Sequence, residues 1–155
     1  MGASRAAEYL TDRLGADITA DAVAEMGRQG VLRTVVLYKG HPVYDGRDLE
    51  AVTDPAAARE AGRVGRQLMR AEVAEQLGVR EVDVRHLDRA GYLTPVRHVR
   101  SSWQRRREEP RVPLYRLGDV LALQDRDDID WKAVHSAVKP GGRSPFAGLP
   151  TAAPA

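Results

Sequence analysis

The chain has 155 residues, 43% of them apolar and 30% charged, with a formal net charge of +2 and no cysteine. Lack of cysteine excludes disulfides, thiolate zinc sites, iron–sulfur clusters and thiol nucleophiles. The apolar runs are only a few residues long and no basic-then-apolar leader opens the chain, so a soluble cytoplasmic protein with no membrane span is expected.

The first predicted helix runs from about Arg5 to Leu14, capped by Ser4 and ended by Gly15, with Ala6, Leu10 and Leu14 on one face. Thr19 caps a second helix reaching about Arg28. Leu32 to Tyr38 reads as a strand, Lys39-Gly40-His41-Pro42 as a turn, and Val43-Tyr44 as a short return strand. A helix capped within Asp45 to Asp48 carries Leu49 and Val52 and closes a unit over 1–53. Thr53-Asp54-Pro55 then offers a new helix start, and 54–68 reads as a partly helical connector.

A second unit is expected over 69–125. Its first helix, Met69 to Leu77, buries Val73, Ala74 and Leu77, and Gly78-Val79 makes the turn. In the next helix Val84 and Leu87 face the core, while at 100° per residue Val82, Arg85, His86 and Arg89 point the other way. Gly91 ends this helix and Pro95 blocks its continuation. Val96 to Val99 begins a hairpin whose tip holds Arg100, Trp103, Arg105, Arg106, Arg107 and Arg111, and the chain returns near Val112 to Tyr115. A helix from Asp119 to about Gln124 closes the unit. Asp127 or Asp128 is expected to cap a last helix within 126–139, carrying Ile129, Trp131, Val134 and Val138, and 140–155 reads as a disordered tail.

The two units repeat one grammar: an alanine-rich helix, a short second helix ending in Gly-X-Leu, a variable hairpin, then Tyr-X-X-X-Asp and an apolar helix. Short helices joined by a tight turn and followed by a hairpin are the grammar of a winged helix-turn-helix. The expected fold is therefore mainly α with small β wings, in two tandem winged helix-turn-helix units. The wing is ten positions longer in the second copy, where 24 positions separate Gly91 from Tyr115, against 14 between Gly30 and Tyr44. Charge is uneven too: residues 1–53 hold 6 basic and 8 acidic side chains, whereas 59–116 hold 14 basic and 8 acidic. Most of the cations are arginines, whose planar guanidinium can pair with phosphate or with a guanine edge through two parallel hydrogen bonds.

From Val84-Arg85-His86-Leu87-Asp88 through Gly91-Tyr92-Leu93-Thr94-Pro95-Val96-Arg97 to Tyr115 and Asp119, the second copy resembles the DNA-binding domain of the MerR superfamily, including its small excisionase-like winged helices. The resemblance covers Met69 to Leu123. It implies that Arg85 and His86 touch DNA from the second helix, with Val82 and Arg89 on the same face. It also implies that Arg97 and the wing arginines Arg100, Arg105, Arg106, Arg107 and Arg111 meet the backbone or the minor groove. Only a short helix and a tail follow this unit, so no small-molecule effector domain is expected.

With Gly30 set on Gly91, the outward positions Val82, Arg85, His86 and Arg89 correspond to Asp21, Ala24, Glu25 and Arg28. An exposed acidic pair repels phosphate. The first copy therefore reads as a docking or dimerising module, for a second copy or a protein partner, ahead of a second DNA reader.

Other chemistry finds no footing. His41, His86, His98 and His135 are scattered without metal-ligand spacing, and there is no nucleophile elbow or glycine-rich phosphate loop. No cofactor, metal or enzymatic activity is expected. The sequence reads as a nucleoid-associated, sequence-specific double-stranded DNA-binding protein acting in transcription, repressor-like. Its alternatives are an excisionase-type architectural factor and a protein-binding adaptor that keeps the fold without DNA.

Overall fold

The structure is a computed structural model that describes residues 1–100 and 111–152. The hairpin tip with Trp103, Arg105, Arg106 and Arg107 lies outside the described residues. The chain divides into two compact units, Met1–Arg66 and Gln67–Ala155. Eight helices and two small antiparallel sheets form among the described residues. None of these helices is long and apolar enough to cross a membrane.

Unit 1 contains α1 (Ala3–Leu14), α2 (Ala20–Arg28), β1 (Thr34–Tyr38), β2 (His41–Tyr44), α3 (Gly46–Ala51) and α4 (Pro55–Gly65). Local signals explain most of the boundaries. Thr19 accepts from the Ala22 N–H, Asp45 from Arg47, and Asp54 from Ala56 and Ala57, which satisfies donors that each helix start leaves open. Gly15 closes α1 in the left-handed conformation. Ser4 is not the cap of α1, because the helix begins earlier: Gly2 bridges to Val43, and Met1 and Tyr44 exchange backbone hydrogen bonds of 2.6 and 2.8 Å. Leu10, Val23, Leu32 and Leu49 form the core, with the Tyr44 ring among them. The Gly27 position is filled by that ring; a Cβ there would lie 2.5 Å from Tyr44 Cε1.

Of the expected connector 54–68, α4 takes up Pro55–Gly65 and belongs to unit 1, while Gln67 and Leu68 are the first strand of unit 2. Ala58 and Ala61 are buried, and Gly62 and Gly65 lie against α2; a Cβ on Gly65 would sit 2.8 Å from both Asp21 O and Glu25 Cβ. This run of small residues lets the two helix backbones approach closely.

Unit 2 contains β3 (Gln67–Leu68), α5 (Arg70–Leu77), α6 (Glu81–Arg89), β4 (Arg97–Arg100), β5 (Arg111–Arg116), α7 (Leu117–Gln124) and α8 (Trp131–Ala137), with strand order β3-β5-β4. It starts two residues before the expected boundary because Gln67 and Leu68 pair with Arg116 and Tyr115. Gly2 plays the same part in unit 1, so in both units the residues leading into the first helix pair with the returning strand. Val73, Leu77, Val84, Leu87, Tyr115 and Val120 form the core. The last helix is capped by Asp130, whose carboxylate accepts from the Ala133 N–H, and not by Asp127 or by Asp128, which pairs with Arg126.

The expected disorder of 140–155 fails for residues 140–152. Phe146, the chain's one phenylalanine, is buried in the unit 2 core with its ring edge-on to Trp131. Arg80 Nη1 donates to Lys139 O and Gly142 O at 2.7 and 2.9 Å, and Ala152 N donates to Ala90 O at 2.7 Å. The segment therefore runs as a strap beside α6, from its N-cap to its C-cap.

Candidate nucleic-acid interface

Helix α6 is fixed at both ends and along its inner side. Val84 and Leu87 are fully buried. At the start, the Asp83 carboxylate accepts from the Arg80 N–H at 2.9 Å and from the Arg80 guanidinium at 3.0 and 3.1 Å. Burial pushes the Asp83 carboxyl up. Hydrogen bonds from the Arg80 side chain, Ser144 and the Arg80 backbone outweigh that push and hold it below the usual carboxylate range. Arg80 is thus a hub: one guanidinium neutralises a buried acid and ties down the strap.

Further along, Tyr115 Oη on β5 donates to the Asp88 carboxylate at 2.5 Å. Burial first, and then this bond, pushes the Tyr115 hydroxyl up to about 12. The bond ties α6 to β5. The acid and the tyrosine of the sequence pattern are therefore bonded partners, a role that spacing alone did not show. At the equivalent places in unit 1, Gly27 lies beneath the Tyr44 ring and no such bond exists.

What this frame leaves outward is the face expected from the helical wheel. Val82, Arg85 and Arg89 are exposed and His86 is half-buried. On the ribbon, Arg97, Arg100 and Arg111 are all exposed. The register sets Arg100 directly opposite Arg111 and Arg97 opposite Leu114. Since side chains alternate along a strand, Arg97 and Arg100 project from opposite faces of the ribbon, so these arginines do not form one flat surface.

The cations divide by use. Arg28, Arg33, Arg63, Arg80, Arg116 and Arg126 are each paired with a carboxylate. The side chains of Arg85, Arg89, Arg97 and Arg111 make no hydrogen bond or ion pair among the described residues; Arg5, Arg47, Arg59 and Arg143 are also open but lie on four separate segments. Their donors face solvent with the full guanidinium fork open.

Unit 1 differs at the matching face. Arg28 is exposed and Asp21 and Ala24 are half-buried, but Glu25, expected to point outward, is 1% exposed. Helix α4 lies over it, and its carboxylate accepts from Arg28 at 2.6 Å and Gln29 at 3.0 Å. The acid is an internal anchor and not a surface charge. A helix with its side chains is about 10–12 Å across and the major groove about 12 Å wide. With α4 packed alongside, α2 has no room to enter a groove as a single helix does. The signal for this in the sequence was the small-residue run Ala58, Ala61, Gly62 and Gly65.

Among the described residues no group of three or more His, Asp or Glu is placed to hold a metal ion. The chain matches no protein-family model, no curated protein and no solved structure.

Proposed function

We propose that this chain is a sequence-specific double-stranded DNA-binding protein acting in transcription, built on two winged helix-turn-helix units of MerR-like type of which only the second reads DNA. Helix α6 enters the major groove with Arg85 and Arg89 toward base edges and phosphates and Val82 toward thymine methyls. The β4–β5 ribbon lies along the neighbouring backbone or minor groove, with Arg100 and Arg111 on one of its faces and Arg97 on the other. Unit 1 serves docking rather than reading, because α4 flanks the helix that would otherwise read. The protein resides where its duplex is, with the chromosome or a plasmid.

The observation that carries this reading is the set of uncommitted guanidinium groups on one open helix face and the adjoining ribbon, in a chain that pairs many of its other arginines internally. A protein-binding adaptor has no use for such a set without an acidic partner. Selection of bound duplexes from a random pool, using the full chain, tests binding, motif and the number of half-sites together. A single enriched motif is expected. If about four to six arginines meet phosphate, log affinity falls against log salt with a slope of roughly −4 to −5. A slope near zero on every duplex overturns the reading.

A further inference from the structure

The β1–β2 hairpin of unit 1 is apolar and uncovered along one side only. Val35, Val36, Leu37 and Tyr38 are 65, 55, 65 and 64% exposed, and Val31 just before them is 52% exposed. Met1 is the one other exposed large apolar residue in unit 1, at 38%. The outer edge of β2 is closed, since Gly2 bridges to Val43 and Met1 bonds to Tyr44. The outer edge of β1 pairs with nothing among the described residues. Strand edges in monomers are blunted by charge, proline or a cover, and from Thr34 to Tyr38 this strand has no charge and no proline. A bulge at Val35 adds twist but no polarity.

Charge selects the occupant. At one end of β1, the exposed Arg33 is clasped by Asp45 at 3.1 Å and Asp48 at 3.0 Å, a three-residue cluster with one net negative charge beside the exposed Arg47. At the other end stands Lys39, its ammonium 5.4 Å from the Tyr38 ring centre and without a carboxylate partner among the described residues. Two antiparallel copies of β1 related by a two-fold axis at Val36 bring Lys39 of each against the Arg33, Asp45 and Asp48 cluster of the other. Val36 then meets its own equivalent, and Leu37 meets Val35. A strand that is neutral and apolar in the middle, negative at one end and positive at the other is complementary to itself in this orientation, which is the requirement of an isologous contact.

We infer that the β1 face of unit 1 is a self-association surface whose partner is a second copy of this chain. Val35 and Leu37 project from one face of β1 and Val36 and Tyr38 from the other, so edge pairing of two copies covers only part of this apolar surface and buries less than the roughly 1,000 Å² of a standard specific interface. The association is accordingly weak, with a Kd in the range of roughly 10–100 μM. The inference rests on unit 1 alone and stands apart from DNA reading.

Sedimentation velocity of the full chain without DNA, over about 2 to 300 μM, tests it. The mass is expected to rise with concentration from 17.0 kDa toward twice that value. Val36→Lys sets two ammonium groups against each other on the axis and abolishes the rise. Leu37→Lys, also at an exposed site, does the same, so the result does not hang on one variant. Lys39→Glu weakens the dimer about 3- to 10-fold through two equivalent pairs, while Met69→Ser, at an exposed apolar site of unit 2, leaves it unchanged. A wild-type chain that stays monomeric to 300 μM assigns the patch to some other partner and overturns the inference. So does a Val36→Lys or Leu37→Lys chain, folded by circular dichroism, that dimerises as the wild type does.

Discussion

Replacing Gly65 by alanine tests the packing of α4 on α2 within unit 1. An added Cβ meets Asp21 O and Glu25 Cβ at 2.8 Å, and Asp21 O is backbone that cannot rotate away. Overpacking of this kind costs about 1–3 kcal/mol. Exchanging glycine for alanine in a helix returns roughly 0.5–1 kcal/mol, less at the last helical residue. The net expectation is a destabilisation of about 0.5–2 kcal/mol, or roughly 3–15 °C in the Tm of a unit this size. Gly62→Ala is the internal comparison, since its Cβ meets only the Ala22 methyl at 3.2 Å and Thr19 Oγ1 at 3.4 Å; it should fall near neutral. Both tryptophans, Trp103 and Trp131, follow Arg66, so tryptophan fluorescence reports unit 2. The Gly65→Ala shift should appear in far-UV circular dichroism during thermal or urea unfolding. A neutral or stabilising Gly65→Ala would mean that α4 does not lie on α2, and the case against unit 1 as a reader would fall with it.

Arg85→Ala should weaken binding to the selected duplex by on the order of 1–3 kcal/mol and relax discrimination between sequences, as read by competition titration; full affinity and specificity in the variant would remove Arg85 from the interface. Arg97→Ala combined with Arg111→Ala should instead weaken binding to all duplexes alike and make the salt slope shallower by nearly two. Tyr115→Phe loses its bond to the Asp88 carboxylate and should cost about 1.5–3 kcal/mol in urea unfolding followed by tryptophan fluorescence. Asp83 is held below its ordinary value of 3.8, so the folded state keeps the proton off more readily than the unfolded one. Its contribution is present in full above about pH 4 and is lost as pH falls through the folded pKa. The Asp83→Asn variant should accordingly be less stable near pH 7 but show a flatter decline in urea midpoint between pH 4 and 2. An unchanged acid limb would show that this carboxylate is not coupled to folding.

Much of the architecture was legible because it is encoded locally. Thr19, Asp45 and Asp54 cap helices where a short side chain can reach the next turn, and Gly15, Gly78 and Gly91 end helices at positive φ. The outward face of α6 followed from its period, since Val84 and Leu87 leave Val82, Arg85 and Arg89 no other direction. The leading strands were not legible: Gly2 and Gln67–Leu68 have no period of their own and exist only through their bonds to the returning strand.

The amino-acid order alone therefore determined where helices begin and end, which stripe of each is apolar, and that cationic side chains crowd the second repeat. Tertiary packing decided which of those surfaces remain open. Glu25 is as polar as any surface residue, yet α4 covers it because distant small residues let two backbones close together. A Pro- and Gly-rich tail is ordered because a single phenylalanine finds room in the core and Arg80 grips the backbone beside it. Propensity acts over a few residues and is readable in a window. Burial depends on partners far along the chain, and only the folded arrangement names them.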